Sequence, residues 1–444
     1  MSVSMSNLSK LYGDIIAVHD LTLECPTGQM LGLLGPSGCG KSSTLKMIAG
    51  IEEVSSGQIC FGAKDVTYLP PGARNIAMVF EDYALYAHLS VFENIAFPLR
   101  IQKLPKKEIE QRVDAMLEML RLTDIRDEKV RQLSGGAQQR VSIGRALVRK
   151  PEVILFDEPL SHLDADQKIQ LRSELKRLQQ IQGLTSLLVT HDQTEAIAMC
   201  DIIAVMNLGE LQQVGEPQAL YDSPANTFVA QFIGEPQMNL LPARLQRRDE
   251  VLFVQGKGWT LRLDDRFEFI RDFPECELIL GIRPEQMTLS TGDVADGIAT
   301  LEGEVQFREH RGDTDVLLVD LESGDPSGTR GARISADIPG PSAVREGDWI
   351  RLSFDNSKII LFDKGSGKNL AQKAAIFGND PNWSDYTGCW LRRNRCFDWA
   401  FGYGKDDRLS DDQWAGASRY GTYYVERRSV RCFARTKALH RIHV

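Results

Sequence analysis

The feature that most constrains this chain is a glycine-rich loop set between an apolar run and a helical pattern. The segment GPSGCGKS, residues 35–42, follows MLGLL and precedes STLKMIAG, and it fits the spacing GxxxxGK[ST]. Glycines let the backbone curl so that successive N–H groups point at phosphate oxygens, and the following helix N-terminus adds partial positive charge. The sequence therefore predicts an α/β P-loop nucleotide-binding domain.

Each position of this loop has an expected task. Lys41 is predicted to hold the β and γ phosphates, and Ser42 to offer its hydroxyl to Mg²⁺. A bulky adduct on the thiol of Cys39 would obstruct the loop, so alkylation is expected to abolish activity and bound ATP to protect. The remaining predicted nucleotide contacts are Gly35, Pro36, Ser37, Gly38, Gly40 and Ser43. A chance glycine-rich turn is the alternative, and the flanking strand and helix disfavour it.

A second apolar run ends in two carboxylates. The segment VILFDEP spans residues 153–159, and four apolar residues bury the strand before Asp157 emerges at its end. We expect Asp157 to hold Mg²⁺ directly or through water, and Glu158 to orient and deprotonate the attacking water. An adjacent acidic pair alone is commonplace on protein surfaces. Its combination with the phosphate loop is what favours a hydrolytic site.

The secondary-structure pattern of the sequence changes twice along the chain. Buried strand-like runs alternate with helical spacing through about residue 235, with a helical insertion at about 86–150. Short strand-like runs broken by Gly, Pro and Asp then predict a small all-β domain over 236–365. The tail over 366–444 concentrates Trp, Cys and Arg and has no clear periodicity. We predict domains at 1–235 and 236–365 and assign the tail no fold.

Composition excludes several classes of protein. Apolar residues make up 42% of the 444 and charged residues 25%, the balance of a globular protein, and no run is long enough to predict a spanning helix. The formal net charge of −9 argues against a nucleic-acid partner, because that binding depends on Lys and Arg displacing counterions. The start does not read as a secretory signal, so a cytoplasmic chain with reduced thiols is expected.

A third motif carries a resemblance to a known family. The run LSGGAQQR, residues 133–140, stands ahead of VSIGRALVRK and about a dozen residues before VILFDEP, and it resembles the signature loop of ABC-type ATPases. Tyr12 is similar to the aromatic residue that stacks on adenine in that family. SHLD, which ends at Asp164, looks like the loop that crosses the dimer interface. His191 in VTHDQTEA matches the switch histidine that contacts the γ-phosphate.

The resemblance narrows further along three longer segments. They span residues 79–99, 211–241 and 281–287, and they look like the ATPases of maltose, glycerol-3-phosphate and related carbohydrate importers. Members of that group carry an oligomer-binding (OB) type β domain after the ATPase. Similarity covers about residues 1–365. It implies ATP hydrolysis coupled to uptake of a carbohydrate or polyol, with the chain peripheral to the cytoplasmic face of the plasma membrane.

The same resemblance implies partners. Two ATPase subunits, either two copies or this chain and a paralogue, sandwich ATP head to tail, so Ser134, Gly135 and Gly136 of one subunit complete the site of the other. Two transmembrane permease subunits are expected, and an extracytoplasmic solute-binding protein acts indirectly. The chain departs from the family at Glu81, where Gln is usual. A carboxylate there can bind Mg²⁺ but adds negative charge beside the phosphates, so slower or differently regulated turnover is expected.

Two other functions stay open at the level of sequence. A soluble ABC ATPase that acts on nucleic acid or ribosomes would favour two ATPase cores in one chain or a long coiled coil, together with a basic face, and the sequence shows none of these. A regulatory protein that binds ATP without using it would not need Lys41, Asp157, Glu158 and His191 together. The tail is either an appendage that docks on a partner or a translated out-of-frame end.

Overall fold

The structure is a computed structural model in two compact units. It describes residues 1–248, 251–271, 273–290, 298–321 and 332–372, with the backbone of 424–426 and 429–431. Unit 1 contains residues 1–224 and 232–234, and unit 2 contains residues 225–231 and the described residues from 235 onward. Most of the tail predicted at 366–444 lies outside the described residues, so both explanations of it stay predictions.

Unit 1 alternates strands and helices along most of its length. Its strands are β1 (Val3–Tyr12), β2 (Ile15–Cys25), β3 (Met30–Leu34), β4 (Ser56–Phe61), β5 (Lys64–Asp65), β6 (Ile76–Val79), β7 (Val153–Asp157), β8 (Thr185–Thr190), β9 (Ile202–Asn207) and β10 (Glu210–Gly215). Its helices are α1 (Lys41–Ala49), α2 (Val91–Ile101), α3 (Lys106–Met119), α4 (Gly135–Leu147), α5 (Ala165–Gln182), α6 (Gln193–Met199) and α7 (Pro217–Asp222), with 3₁₀ turns at Pro71–Ala73, Thr123–Ile125 and Val130–Gln132.

A six-stranded sheet forms the centre of unit 1. Its order is β10-β9-β3-β8-β7-β6, and every neighbouring pair is parallel except β9 and β10. All residues of β3 and β8 are buried, which explains why neither strand has the apolar–polar alternation of a strand with one exposed face. The predicted α/β fold with buried parallel strands is confirmed.

Unit 1 has a second, antiparallel sheet in the order β2-β1-β4-β5. The inward residues of β1 and β2 alternate with outward ones, as expected for a sheet with one buried face. One apolar core lies between the two sheets and includes residues of both, among them Leu8, Leu21, Leu33 and Val189. The ends of β1 and β2 consequently lie beside the first turns of α1, where the Ala17 carbonyl abuts Gly40.

Three helices lie within residues 91–147. Ser90 caps α2 through a capping box with Glu93, which satisfies two backbone N–H groups at that helix start. The buried residues of α3 recur at helical spacing and include Ile109, Val113 and Met116, as the sequence pattern predicts. Ser134 caps α4 by accepting a hydrogen bond from the Ala137 N–H. The signature motif therefore occupies a helix N-terminus.

Unit 2 is almost entirely β-structure. It contains α8 (Thr227–Phe232, except its last residue) and the strands β11 (Asn239–Arg248), β12 (Val251–Gly256), β13 (Trp259–Arg262), β14 (Glu277–Ile282), β15 (Thr288–Leu289), β16 (Ile298–His310), β17 (Thr314–Leu321), β18 (Arg333–Pro339), β19 (Trp349–Asp355) and β20 (Ile360–Asp363). Short 3₁₀ helices occur at Asp265–Ile270, Pro284–Gln286 and Asn356–Lys358.

Two five-stranded antiparallel sheets share the core of unit 2. Their orders are β13-β12-β11-β14-β20 and β15-β19-β16-β17-β18, and residues such as Leu280, Val319 and Leu352 pack between them. The predicted all-β domain is confirmed as a fold class. In the tail, β21 (Tyr424–Glu426) pairs with β22 (Ser429–Arg431). Among the described helices, none has the length and apolar character needed to cross a bilayer.

Candidate functional site

The candidate site lies where the parallel strands of unit 1 end. The carboxyl ends of β3, β6, β7 and β8 are neighbours across the sheet, and this edge is where open α/β sheets place their ligand sites. The loops that leave these ends are residues 35–40, 80–87, 158–164 and 191–192. Each contains residues predicted to act on nucleotide. Topology thus gathers segments that are far apart in sequence.

The phosphate loop has the backbone that its glycines predict. Gly38 and Gly40 have φ values of 80° and 98°, in the left-handed region that favours glycine. A Cβ on Gly40 would overlap the carbonyl oxygen of Ala17, and one on Gly35 would overlap the carbonyl oxygen of Met206. Helix α1 begins at Lys41, directly after the loop, with no acidic residue in its first turn. The loop therefore leads into a helix N-terminus suited to an anion.

Lys41 lies against this loop with little exposure. Its side chain is 5% exposed, and Nζ donates hydrogen bonds to the Gly35 carbonyl at 2.7 Å and the Pro36 carbonyl at 2.9 Å. The cation is thereby held over the loop that we expect to cradle the phosphates. Ser37 and Gly38 are exposed, and Ser42 and Ser43 are partly exposed in the first turn of α1.

The thiol of Cys39 faces the protein interior. The residue is 3% exposed, its Sγ lies 3.8 Å from Lys41 Nζ, and its N–H donates to the Pro36 carbonyl at 3.3 Å. Burial raises the pKa of this thiol, which lowers the fraction of reactive thiolate. We therefore expect slow alkylation of Cys39, and the prediction that an adduct there abolishes activity and that ATP protects stays a prediction.

Asp157 and Ser42 come together at the end of β7. Ser42 Oγ donates to Asp157 Oδ1 at 3.4 Å, although the two residues are 115 positions apart. Burial raises the pKa of Asp157, with a further increase from the charges of Glu158 and Glu81 and an opposing effect of Lys46. A cation bound among these oxygen atoms would stabilise the ionised form of Asp157 and lower its pKa. Hydroxyl and carboxylate oxygens are the donors that Mg²⁺ prefers.

The protein atoms alone do not enclose a metal. In the described ranges, no group of three or more His, Cys, Asp and Glu side chains has the arrangement of a metal site. Mg²⁺ usually keeps several waters and takes its other ligands from one or two carboxylates and substrate phosphates. The pair of Ser42 and Asp157 fits an ion that arrives with a nucleotide.

Glu158 and His191 are in direct contact. His191 Nδ1 lies 2.9 Å from Glu158 Oε2, and the Glu158 N–H donates to the Val189 carbonyl at 2.9 Å. Glu158 has a φ of 46°, an uncommon value for a residue with a side chain. Because β7 and β8 are adjacent and parallel, the residues that follow them meet at the sheet edge. The carboxylate and the imidazole form an acid–base pair one residue beyond Asp157.

The loop that carries Glu81 is fixed to α4. Tyr83 and Ala84 have positive φ values of 61° and 46°. Arg145 donates to the carbonyls of Tyr83 at 3.0 Å and Ala84 at 2.7 Å, and Ser142 Oγ donates to the Tyr83 carbonyl at 3.0 Å. Glu81 itself is half exposed and lies 3.7 Å from Nε2 of His162. The sequence reasoning named Glu81 but missed Arg145 and His162.

The remaining predicted residues surround these loops. Ser134, Gly135 and Gly136 start α4, where a Cβ on Gly135 would lie 3.6 Å from the Tyr83 hydroxyl. Asp164 caps α5 by accepting from the Gln167 N–H at 2.9 Å. The signature motif thus lies beside the 80–87 and 158–164 loops of its own chain. That this motif completes the nucleotide site of a second subunit stays a prediction.

Tyr12 ends β1 at the rim of unit 1. Its side chain is 41% exposed, and Lys10 Nζ lies 4.7 Å from the centroid of its ring. Lys10 is a residue that the sequence reasoning missed. The available signal was its position two residues before Tyr12, a spacing that places side chains on one face of a strand.

Comparison with known proteins identifies three family models along the chain. The model described as ABC transporter matches residues 18–161, the MalK OB fold domain matches 234–287, and the TOBE domain matches 280–362. A trehalose/maltose import ATP-binding protein of Thermococcus litoralis is 46% identical over 378 residues, which cover 83% of this chain and 99% of that protein.

Two further relatives are similar over the same length. An sn-glycerol-3-phosphate import ATP-binding protein of Cereibacter sphaeroides is 42% identical over 368 residues, 83% of this chain and 99% of that protein. A xylose/arabinose import ATP-binding protein of Haloferax volcanii is 42% identical over 379 residues, 84% of this chain and 96% of that protein. The chain therefore spans nearly the whole of each relative.

Proposed function

The chain belongs to the ABC transporter family of import ATP-binding proteins with MalK-type OB and TOBE domains, and on that premise we propose that its ATP hydrolysis drives uptake of a carbohydrate or polyol. The relatives above are named for import of trehalose and maltose, sn-glycerol-3-phosphate, and xylose and arabinose. The observation that carries the hydrolytic part is the 2.9 Å contact between Glu158 and His191, one residue after Asp157.

The phosphates of ATP are held by residues 35–43 in this proposal. Backbone N–H groups at the start of α1 face an anion with the positive end of the helix dipole behind them. Lys41 exchanges its carbonyl partners, Gly35 and Pro36, for β and γ phosphate oxygens. The exchange is favourable because the ammonium group gains the Coulomb attraction of an anion in place of neutral carbonyl groups.

Mg²⁺ is the ion that the oxygen donors of this site fit. Ser42 and Asp157 would hold it, with Glu81 as a third oxygen donor from its loop. When bound, the ion neutralises charge on the transferring phosphoryl group. The pKa of Asp157 is raised by burial despite the opposing charge of Lys46, so a bound cation would favour the ionised carboxylate.

Glu158 and His191 perform the proton chemistry in the proposal. Glu158 orients the attacking water and accepts its proton as the oxygen attacks the γ-phosphorus. His191 fixes the carboxylate through Nδ1 and contacts the γ-phosphate, so it senses the loss of that group. The left-handed backbone at Glu158 directs its side chain toward His191, which lies 33 residues further along the chain.

Two subunits complete each site in this account. Ser134, Gly135 and Gly136 of one subunit contact the γ-phosphate held by the other, where a helix N-terminus adds positive charge from the far side. Asp164 lies in the loop that crosses the interface. Closure of the pair around ATP is a bistable step, and hydrolysis reopens it.

We place the chain at the cytoplasmic face of the membrane with two permease subunits. The support is that the relatives are import ATP-binding proteins and that no described helix of this chain could cross a bilayer. An extracytoplasmic solute-binding protein would act through the permeases. The proposed organisation keeps the predicted limits of 1–235 for the ATPase domain and 236–365 for the β domain.

The test is co-purification of the chain with its membrane subunits and measurement of ATP hydrolysis in proteoliposomes. We expect hydrolysis to rise when the transported solute and its binding protein are added. Glu158→Gln should lower the rate by about 10²-fold or more, since it removes the general base.

Glu152→Gln is the matched control, because Glu152 is exposed and its backbone N–H bonds to the Asn75 carbonyl outside the site. It should retain the full rate. A Glu158→Gln enzyme with the unaltered rate would contradict the assignment of the base, and a chain that never associates with membrane subunits would contradict the transport function.

A further inference from the structure

Lys10 is a buried cation that the mechanism above does not use. Its side chain is 10% exposed, and its Nζ donates to the Glu53 carbonyl at 2.7 Å and lies 3.3 Å from a carboxylate oxygen of Glu52. These two acceptors fix the ammonium group. The same Nζ lies 4.7 Å from the centroid of the Tyr12 ring, within the range of a cation–π contact.

We propose that Lys10 is a positioning residue for the nucleobase: it holds the ring of Tyr12 so that the face away from the ammonium group can stack on adenine. This inference rests on the proposed function and on the stacking of Tyr12 on adenine that the resemblance implies. It adds a residue that acts through the ring rather than on the nucleotide. The ring is 41% exposed, so one face is occupied by the cation while surface remains for a flat ligand.

The anchors of Lys10 connect β1 to the segment that follows α1. Glu52 and Glu53 come shortly after the C-terminal end of α1, and the N–H of Glu52 bonds to the Lys46 carbonyl of that helix. The ammonium group therefore joins β1, which carries the base platform, to the segment after the phosphate-binding helix. Fixing β1 in this way lowers the conformational freedom of Tyr12 that would be lost when a base binds.

The cation also restrains the orientation of the Tyr12 ring. A tyrosine ring has a negative face, and a partly desolvated cation over one face is attracted to it. Because Lys10 is buried and held by two acceptors, this attraction restrains the orientation of Tyr12. Loss of the cation should free the ring to rotate and should weaken stacking. Loss of the cation should therefore weaken binding of the base and leave binding of the phosphates unchanged.

The experiment measures binding of a hydrolysis-resistant ATP analogue to the full chain by calorimetry, with inorganic tripolyphosphate as the probe for the phosphate end. Lys10→Met should raise the Kd of the analogue about two- to fivefold, from the size of such contacts. It should leave the Kd of tripolyphosphate unchanged. Lys10→Arg keeps a cation over the ring and should restore the affinity to near the original value.

The matched control is Lys64→Met. Lys64 lies on β5 of the same antiparallel sheet, and its Nζ bonds to the Ala73 carbonyl at 3.5 Å, away from Tyr12. Its Kd values for both probes should equal those of the original chain. A thermal unfolding scan of each variant confirms that affinity is compared between folded proteins.

A double-mutant cycle decides the mechanism. If Lys10 acts through the ring, Lys10→Met should have no further effect on analogue binding in a Tyr12→Ala chain. An equal effect in both backgrounds, or an equal loss of tripolyphosphate affinity, would overturn the inference. A Tyr12→Ala chain of unaltered affinity would overturn the adenine platform as well, whereas weakened binding with Tyr12→Ala but not with Lys10→Met would overturn only the role of Lys10.

Discussion

Replacing Glu81 with Gln tests the carboxylate that was predicted from the sequence to change turnover. Glu81 follows β6, lies 3.7 Å from His162, and adds to the raised pKa of Asp157. It therefore contributes negative charge at the place where the phosphates and Mg²⁺ are expected. Glu81→Gln removes that charge and keeps the size of the side chain and an amide oxygen.

The magnitude follows from the exposure of the groups. Two charges about 4 Å apart interact by about 4 kcal/mol at an effective dielectric constant of about 20 and by about 1 kcal/mol in water. Glu81 is half exposed, so the lower figure applies, and His162 opposes the charge when protonated. A barrier lowered by about 1 kcal/mol corresponds to a rate increase of about fivefold.

The assay is steady-state hydrolysis in the reconstituted transporter at several Mg²⁺ concentrations. We expect the Glu81→Gln variant to turn over about fivefold faster at saturating Mg²⁺, and to need more Mg²⁺ for half of its maximal rate because an amide attracts the ion less. Asp82→Asn is the control, since it makes the same change of net charge one residue away. Equal rates for Glu81→Gln and the original chain at every Mg²⁺ concentration would refute this reasoning.

Three shorter predictions follow from the same geometry. Gly40→Ala should lower ATP affinity at least tenfold, because the new Cβ meets the Ala17 carbonyl at a φ of 98°, whereas Gly72→Ala, with open space around it, should be neutral. N-ethylmaleimide should modify Cys39 more slowly than Cys60, which is less buried, and comparable rates by peptide mass spectrometry would contradict the buried thiol. Hydrogen bonds from Ser342 and His310 and the charge of Arg308 lower the pKa of Asp315 well below its unfolded value of about 4, so this group stabilises the fold fully above that value and loses the benefit as pH falls from there through the lowered folded pKa. Asp315→Asn should unfold at lower urea concentration than the original chain at pH 7, and the difference should narrow at pH 3 without disappearing; a difference of equal size at both pH values would contradict this linkage.

The elements that depend on residues close together in the sequence were predictable. The phosphate loop, the buried runs at β3, β7 and β8 and the short strands of unit 2 were predictable, because glycine spacing and apolar periodicity act within a few residues. The predicted fold class is confirmed on those elements. The residue roles in the site and the limits of the domains stay predictions.

Contacts between distant residues were not predictable in the same way. Glu158 and His191 meet because β7 and β8 are neighbours, and the spacing of the two residues along the chain contains no information on strand order. The same holds for Arg145 and the Tyr83 carbonyl, since a backbone acceptor has no sequence signal. The direction of the Cys39 side chain also depended on packing that the motif alone does not describe.

The most direct test of the central claim is the oligomeric state of the Glu158→Gln chain with and without ATP and Mg²⁺, measured by sedimentation velocity. We expect a monomer that becomes a dimer when nucleotide is added. A second substitution, Ser134→Arg, should abolish this change, because the larger side chain obstructs the γ-phosphate of the opposite site. A chain that binds ATP tightly and still sediments as a monomer would contradict the claim that nucleotide closes two subunits together.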